Sequence, residues 1–383
     1  MDDHIDVTVI IPTLNEEISI SRCIPKIWVA FREKQLKGEI IVSDSSTDRT
    51  AEIATSLGAR VIHPDKKGYG AAYLAAFPHA RGTYVVIGDG DDTYDFSQIP
   101  ALIEPLEKGA DMVVGSRFKG EIKPGAMTAL HRYIGNPILT WMVNVLFDAD
   151  FSDVHSGFRA IKKEALDRLD LKTPGMEFAS EMMFRAKQNG LIIHEIPIIY
   201  SPRETPSKLH SFADGWRHVR FVLLLNPLPF IAVPGAIFSL VGAVLMILFA
   251  VRGQVTTSHL HSFILAAFLL CGGIQVIVFG VLFKIYSVIQ GYQEKRGIIE
   301  LVMDYHSLER FLLIGATLLV IGFLSGLTVI ITWVRSGFGE IAEIVNAVVA
   351  LSLGTIGLQI IFMAIFISMM LLREENGNSK TRP

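Results

Sequence analysis

Residues 85–96 read VVIGDGDDTYDF: an apolar run that breaks into acid, with Asp89, Asp91, Asp92 and Asp95 close together. Like charges this close repel, and a carboxylate taken out of water without a partner is very costly. The segment therefore asks for a positive charge. At the end of an extended strand, residues i and i+2 point the same way. Asp89 and Asp91 can thus aim at one point, with Gly90 between them allowing close backbone approach. Two hard oxygen ligands suit Mg²⁺ or Mn²⁺, which commonly take one or two carboxylates plus substrate phosphates. Asp92 and Asp95 are expected to face solvent or to cap the following helix. Two other readings compete. One is a plain acidic loop capping a helix. The other is a calcium loop, which wants Gly sixth and Glu twelfth; counted from Asp89 those positions hold Tyr94 and Pro100.

The same strand-then-polar pattern recurs outward from this stretch. DVTVIIP, EIIVSD, ARVIHP, TYVVIGD and DMVVGSR read as five strands, with helical spacing between them. Ser46 or Thr47 is the expected cap of the second helix, and Gly58 its end. Strands alternating with helices predict an α/β domain with a parallel sheet. Ligands of such sheets bind beyond the carboxyl ends of the strands. Asn15, Glu16, Asp44, Asp89, Asp91, Ser116 and Arg117 all fall at predicted strand ends.

Half of the 383 residues are hydrophobic, and the excess lies after about residue 220. Segments 228–250, 260–283, 311–334 and 344–372 are each long enough to cross a hydrocarbon core, which takes roughly 20 apolar residues. The predicted organisation is a globular domain over 1–208, an amphipathic juxtamembrane segment over 209–227, an all-α membrane domain over 228–372 and a disordered tail over 373–383. Trp216, Arg217, His218 and Arg220 are expected at the lipid interface. Lys284, Lys295, Arg296 and Arg310 lie between the second and third spans, and Arg373, Lys380 and Arg382 in the tail. By the positive-inside rule the globular domain, this loop and the tail share the cytosolic side of a multi-pass protein. The first residues, MDDHIDVTVI, carry no basic region of a signal peptide. A net charge of −3 gives no reason to expect nucleic acid. Cys23 and Cys271 fall in different parts, which rules out a disulfide framework or a cysteine metal site.

The soluble part resembles family 2 glycosyltransferases of the GT-A (Rossmann-like) fold over roughly residues 6–220. Among them it is most similar to the dolichol- and polyprenol-phosphate hexose synthases. The segments that carry the likeness are VIIPTLNEE, IIVSDSSTDRTAEIA, KKGYGAA, GDGDDTYDF, VVGSRF, HRYIGN, SDVHSGFRAI, EFASEMMFRA and IPIIYSPRETPSKL, in that order. The resemblance implies transfer of a hexose from a nucleotide sugar to dolichyl or polyprenyl phosphate, with inversion. Pro12, Leu14 and Glu16 are implied at the nucleoside and Asp44 at its base. Lys67, Gly68 and Gly90 are implied along the nucleotide sugar, and Asp89 and Asp91 at the metal. Arg117, Arg132, Asn136 and Ser207 are implied at the acceptor phosphate, with Arg203 and Lys208 closing over the donor phosphates. Ser156, Gly157 and Glu181 read equally well as a turn and a solvated helix face. The chain departs from the mannose-synthase pattern at Leu14, Asn136 and Thr93, the last standing where that group commonly has a metal-contacting Gln. These features favour UDP-glucose as donor, with GDP-mannose the alternative. A processive polysaccharide synthase is disfavoured because no QxxRW motif is present, and a nicotinamide enzyme because no GxGxxG follows the first strand. A non-catalytic scaffold or lipid-flipping partner is the rival of another class. A homo-oligomer is left open.

Overall fold

The computed structural model describes residues 4–204, 211–251, 259–293, 295, 297–338 and 344–378. They form two compact units, Met1–Val222 and Leu223–Pro383.

In the first unit the strands are β1 (Val7–Thr13), β2 (Gly38–Asp44), β3 (Arg60–Ile62), β4 (Tyr84–Ile87), β5 (Met112–Ile122), β6 (Arg159–Lys162) and β7 (Ile193–Tyr200). They make one sheet in the order β3-β2-β1-β4-β6-β5-β7. The helices are α1 (Glu17–Glu33), α2 (Thr50–Ser56), α3 (Tyr69–Ala76), α4 (Ile99–Glu107), α5 (Asn136–Phe147), α6 (Lys163–Asp167), α7 (Phe178–Gln188) and α8 (Ser211–Leu225). β1 is an almost unbroken β-branched run buried on both faces, as a central parallel strand requires. Its register pairs Thr13 with Asp44 of β2 and Ile10 with Ile87 of β4. The polar groups after these strands therefore gather at one end of the sheet. Ile20, Cys23, Ile24, Ile27 and Phe31 form the buried stripe of α1, spaced for one helix face, and join the core with Leu102, Ile103 and Leu106 of α4.

The sheet is mixed, not wholly parallel. β6 runs antiparallel to both β4 and β5, with Ile87 opposite Arg159. Periodicity marks a strand but carries no sign for its direction, and the four residues of β6 begin with a buried arginine that hides the alternation. The consequence is local: the residues before Arg159 arrive beside the residues after Ile87.

Polar interactions hold the loops at this end. Arg159, 1 % exposed, donates to the carbonyls of Val154 (2.7 Å), Ser156 (2.8 Å) and Ala179 (2.9 Å). Glu181 lies on no solvated face; it is fully buried on α7. Its carboxylate accepts from the N–H of Lys172 (3.0 Å) and Thr173 (2.8 Å) and from the Thr173 hydroxyl (2.6 Å). The loop thus fixed packs against α3, where a Cβ on Gly70 would meet the Thr173 carbonyl at 2.1 Å. His218 of α8 is buried and shares Ser180 Oγ (3.0 Å), so this residue is no interfacial anchor, whereas Trp216 is exposed.

The second unit contains α9 (Val233–Val251), α10 (Leu260–Ile289), α11 (Ile298–Val302), α12 (Tyr305–Arg335) and α13 (Ile344–Asn378). Among the described residues, four helical stretches are long and apolar enough to cross a membrane: Leu228–Val251, Leu260–Ile289, His306–Arg335 and Ile344–Leu372. Small residues let the helices meet closely in two pairs. A Cβ on Gly242 of α9 would lie 2.3 Å from the backbone of Leu270 on α10, and one on Gly322 of α12 would lie 2.6 Å from Gly354 on α13. The tail expected to be disordered starts as helix: α13 runs on to Asn378, because Arg373, Glu374 and Glu375 propagate a helix readily.

Glu181→Ala in the full-length chain leaves the buried Thr173 N–H and hydroxyl unpaired and should cost roughly 2–4 kcal/mol. The check is a clear fall in the thermal midpoint of the detergent-solubilised protein; an unchanged midpoint contradicts this role.

Candidate active site

The loops after β1 and β2 interlock. Asp44 is 2 % exposed, and its Oδ1 accepts from Thr13 Oγ1 (2.6 Å) and Ser46 Oγ (2.5 Å). Asn15, held at φ 54°, takes Ser46 Oγ on its N–H (2.7 Å) and the Thr47 N–H on its side chain (2.8 Å). The hydroxyls expected to cap α2 are thus spent on the neighbouring loop. Arg49 stands at the N-cap of α2 with no side-chain cap bond, and Asp48 before it accepts from the N–H of Thr50 at 3.0 Å. Glu16 is buried and accepts from Ser19 Oγ (2.9 Å), Pro12 is half-buried, and Leu14 is exposed. Lys67 is exposed. Gly68 (φ 151°) passes so close to Pro174 that a Cβ would meet its carbonyl at 2.3 Å, so backbone packing alone demands glycine there.

Past β4 the acids divide. Asp89 Oδ1 accepts from Tyr69 Oη at 2.9 Å. A Cβ on Gly157 would touch Asp89 Oδ2 at 2.8 Å, so the carboxylate rests where only glycine leaves room. Asp91 Oδ1 accepts from Thr93 Oγ1 (2.6 Å) and the Thr93 N–H (3.2 Å), while its Oδ2 pairs with Arg203 Nη2 at 3.0 Å. Asp95 caps the next turn through Ser97 N–H, one of the two roles expected of it. Asp92 does neither expected thing: it sits at φ 59° and binds Lys26 Nζ at 2.6 Å. Burial, then the charge of Asp91, pushes the Asp89 carboxyl up to about 7, against the opposing pull of Tyr69 and Arg203. The pair is short of positive charge, and an arginine stands against one of its oxygens. Those residues fit a divalent cation.

Arg117 is the main departure from expectation. It is buried at 7 % exposure, in a fork with Asp153 (Nε to Oδ2 2.7 Å, Nη2 to Oδ1 2.8 Å), and lies over the Tyr200 ring at 5.3 Å. Burial opposes its charge, but Asp153 outweighs that and raises its pKa well above the usual value. Asp153, which no sequence signal singled out, thus neutralises a cation expected to face a phosphate. His155 is held neutral, its pKa driven well below normal by burial, His218 and Arg117. Arg132 is exposed on a π-helical turn, His131–Gly135, over the Tyr133 ring. Asn136 follows it, its amide 3.5 Å from Met127 Sδ. Ser207 and Lys208 lie outside the described residues. Tyr69 and Tyr94 were also missed. Tyr94 Oη accepts the Gly157 N–H at 2.7 Å, and only tertiary contact marks it.

Residues 8–170 match the model of glycosyl transferase family 2, and residues 281–371 match the family 2 C-terminal transmembrane region. The low-salt glycan biosynthesis hexosyltransferase Agl6 of Haloferax volcanii is 42 % identical over 362 residues, covering 93 % of this chain and 86 % of that protein. The chain belongs to glycosyltransferase family 2. A dolichyl-phosphate hexose transferase of Haloferax volcanii is 34 % identical to this transferase, over 55 % of the chain and 89 % of the relative. A polyprenol monophosphomannose synthase of Mycolicibacterium smegmatis is 29 % identical over 51 % of the chain and 77 % of the relative. Among solved structures, a glucosyl-3-phosphoglycerate synthase from Mycobacterium tuberculosis, crystallised with Mn²⁺ and UDP-glucose, gives a TM-score of 0.47 at 24 % identity, over 57 % of the chain and 78 % of that one. The first unit is the family's GT-A-like α/β domain, followed by its multi-pass membrane region.

Because the folded pKa of Asp89 lies above its ordinary 3.8, the protonated carboxyl is the form the fold favours. Its stabilising effect is full below 3.8 and is lost as pH rises through about 7. With EDTA present, wild type should lose thermal stability relative to Asp89→Asn as pH rises from about 4 to about 7. Saturating Mn²⁺ should reverse that loss in wild type alone. Parallel melts test this, and matching pH profiles in the two proteins contradict it.

Proposed function

We propose that the transferase moves a hexose from a nucleotide sugar, with UDP-glucose favoured, to dolichyl or polyprenyl phosphate, inverting the anomeric carbon. The observation that carries this reading is the cation-demanding pair Asp89 and Asp91, with Arg203 against it, in a chain that goes on into four membrane-length helices. The names of the Haloferax and Mycolicibacterium relatives support a polyprenyl phosphate acceptor.

Asp44 receives the base: Oδ1 is held by two hydroxyls, and the carboxylate can accept an imide N–H through Oδ2. Pro12, Leu14 and Glu16 flank the nucleoside, with Lys67, Gly68 and Gly90 along the rest of the donor. Asp89 and Asp91 hold Mg²⁺ or Mn²⁺, which when bound neutralises charge on the leaving diphosphate. Arg203 leaves Asp91 for the donor phosphates, adding charge-assisted donors there, and Lys208 joins it. Arg132, exposed and without a carboxylate partner among the described residues, takes the acceptor phosphate with Asn136 and Ser207. Arg117 contributes through its charge, which reaches Asp89 even while it is forked to Asp153. The attacking group is a phosphate oxygen with a second pKa of about 6, so it is already anionic. No strong base is then required, in keeping with a neutral His155. Positioning of two anions by fixed cations is the main task. The domain, the central loop and the C-terminal end lie on the cytosolic side.

Membranes holding the full chain, supplied with polyprenyl phosphate, should move label from UDP-glucose into the lipid extract more than from UDP-N-acetylglucosamine or GDP-mannose. Preferential labelling from GDP-mannose would replace the donor, and a ladder of long products would replace the reaction. Asp91→Asn should lower kcat by roughly three orders of magnitude, about 4 kcal/mol. Arg132→Ala should instead raise KM for the lipid about tenfold with little change in KM for the sugar donor; equal effects on both substrates count against the acceptor role.

A further inference from the structure

Each aspartate of the pair has one oxygen taken by a hydroxyl of the chain itself. Tyr69 Oη donates to Asp89 Oδ1 at 2.9 Å, and Thr93 Oγ1 donates to Asp91 Oδ1 at 2.6 Å. The other oxygens are placed differently. Asp91 Oδ2 meets Arg203 Nη2 at 3.0 Å, and Asp89 Oδ2 lies over the bare Cα of Gly157. The cation nearest the pair, Arg203, thus stands against the Asp91 oxygen that Thr93 leaves free.

The two hydroxyls are firmly seated. Thr93 is 1 % exposed, and its carbonyl accepts the Ser201 N–H at 2.9 Å, tying it to the strand end that carries Arg203. The Tyr69 ring stands edge-on to Tyr73 (5.1 Å) and to Phe178 (6.2 Å). Gly157 makes the space for Tyr69 as well, because a Cβ there would come within 2.9 Å of its Oη. Thr93 has one hydroxyl proton, and it points at Asp91.

We propose that Tyr69 and Thr93 are positioning residues for the metal-holding pair. Each pins the Oδ1 of one aspartate, fixing its carboxylate torsion so that the two Oδ2 oxygens face a shared cation. This rests on the reading of Asp89 and Asp91 as that pair. It assigns Thr93, standing where relatives with Gln have a metal contact, to the carboxylate and not to the metal. Donors to a ligating carboxylate hold its orientation, and their loss typically weakens metal binding 10–100-fold. Among the described residues no group of three or more His, Cys, Asp or Glu could hold a metal. A hard divalent cation commonly takes one or two carboxylates plus substrate phosphates, so the aim of these two carboxylates matters.

The test uses the full-length detergent-solubilised chain, titrated with Mn²⁺ in the presence of UDP, with GDP in a parallel series, and free Mn²⁺ read by electron paramagnetic resonance. Wild type should bind Mn²⁺ and Asp91→Asn should not, which reads the pair itself. Tyr69→Phe and Thr93→Val should each bind about 10–100-fold more weakly, with nucleotide binding in EDTA unchanged. Thr93→Ser keeps the hydroxyl in a smaller side chain and should bind like wild type. Wild-type affinity in both Tyr69→Phe and Thr93→Val, with Asp91→Asn silent, overturns the positioning role and leaves the metal pair standing. Equal weakening in Thr93→Ser and Thr93→Val overturns the hydroxyl's part. Identical titrations of wild type and Asp91→Asn overturn the pair and the inference with it.

Discussion

Two carboxylates at the end of one buried strand cannot both stay charged unless a cation joins them. That constraint organises one end of the α/β sheet. Tyr69 comes from α3, Thr93 from the loop itself, Gly157 from the turn before β6 and Arg203 from the extension of β7. Four separate parts of the chain thus converge on Asp89 and Asp91. The proton affinity of Asp89 is raised because the Tyr69 hydroxyl, Arg203 and Arg117 do not offset its burial and the charge of Asp91.

Buried ionic groups help to hold the loops around the pair. Arg159 takes three backbone carbonyls, Asp153 takes Arg117, and Glu181 takes the backbone of Lys172 and Thr173. Buried charges of this kind add little net stability, yet they are expensive to break one partner at a time. They specify geometry. A loop tied by directional bonds keeps its backbone fixed, so Gly157 can sit against a carboxylate oxygen.

The helical unit follows a different logic. In an apolar solvent the hydrophobic effect cannot drive helices together, so close contact depends on small residues. Gly242 against Leu270 and Gly322 against Gly354 show this, and they pair α9 with α10 and α12 with α13. Length and apolar composition alone located these helices, because the hydrocarbon thickness sets how long a span must be. They did not show where the last one stops, since helix propagation continues through Arg373 and Glu374 once the apolar stretch is past.

Local patterning was enough to read the alternation of strands and helices and the gathering of polar groups at strand ends, and it gave capping as one of two roles for Asp95. Each of these depends on neighbours within a few positions, where backbone geometry fixes direction. The reading failed wherever a partner lies far along the chain. Asp153 is 36 residues from Arg117, Lys26 is 66 from Asp92, and Tyr69 is 20 from Asp89. A buried charge looks the same in sequence as an exposed one, so Glu181 and Arg117 could not be placed until the fold removed the water around them. The direction of β6 decided most. By running antiparallel it brings Gly157 beside Asp89, and a strand's sense is set by how the sheet closes around it, which no run of residues encodes by itself.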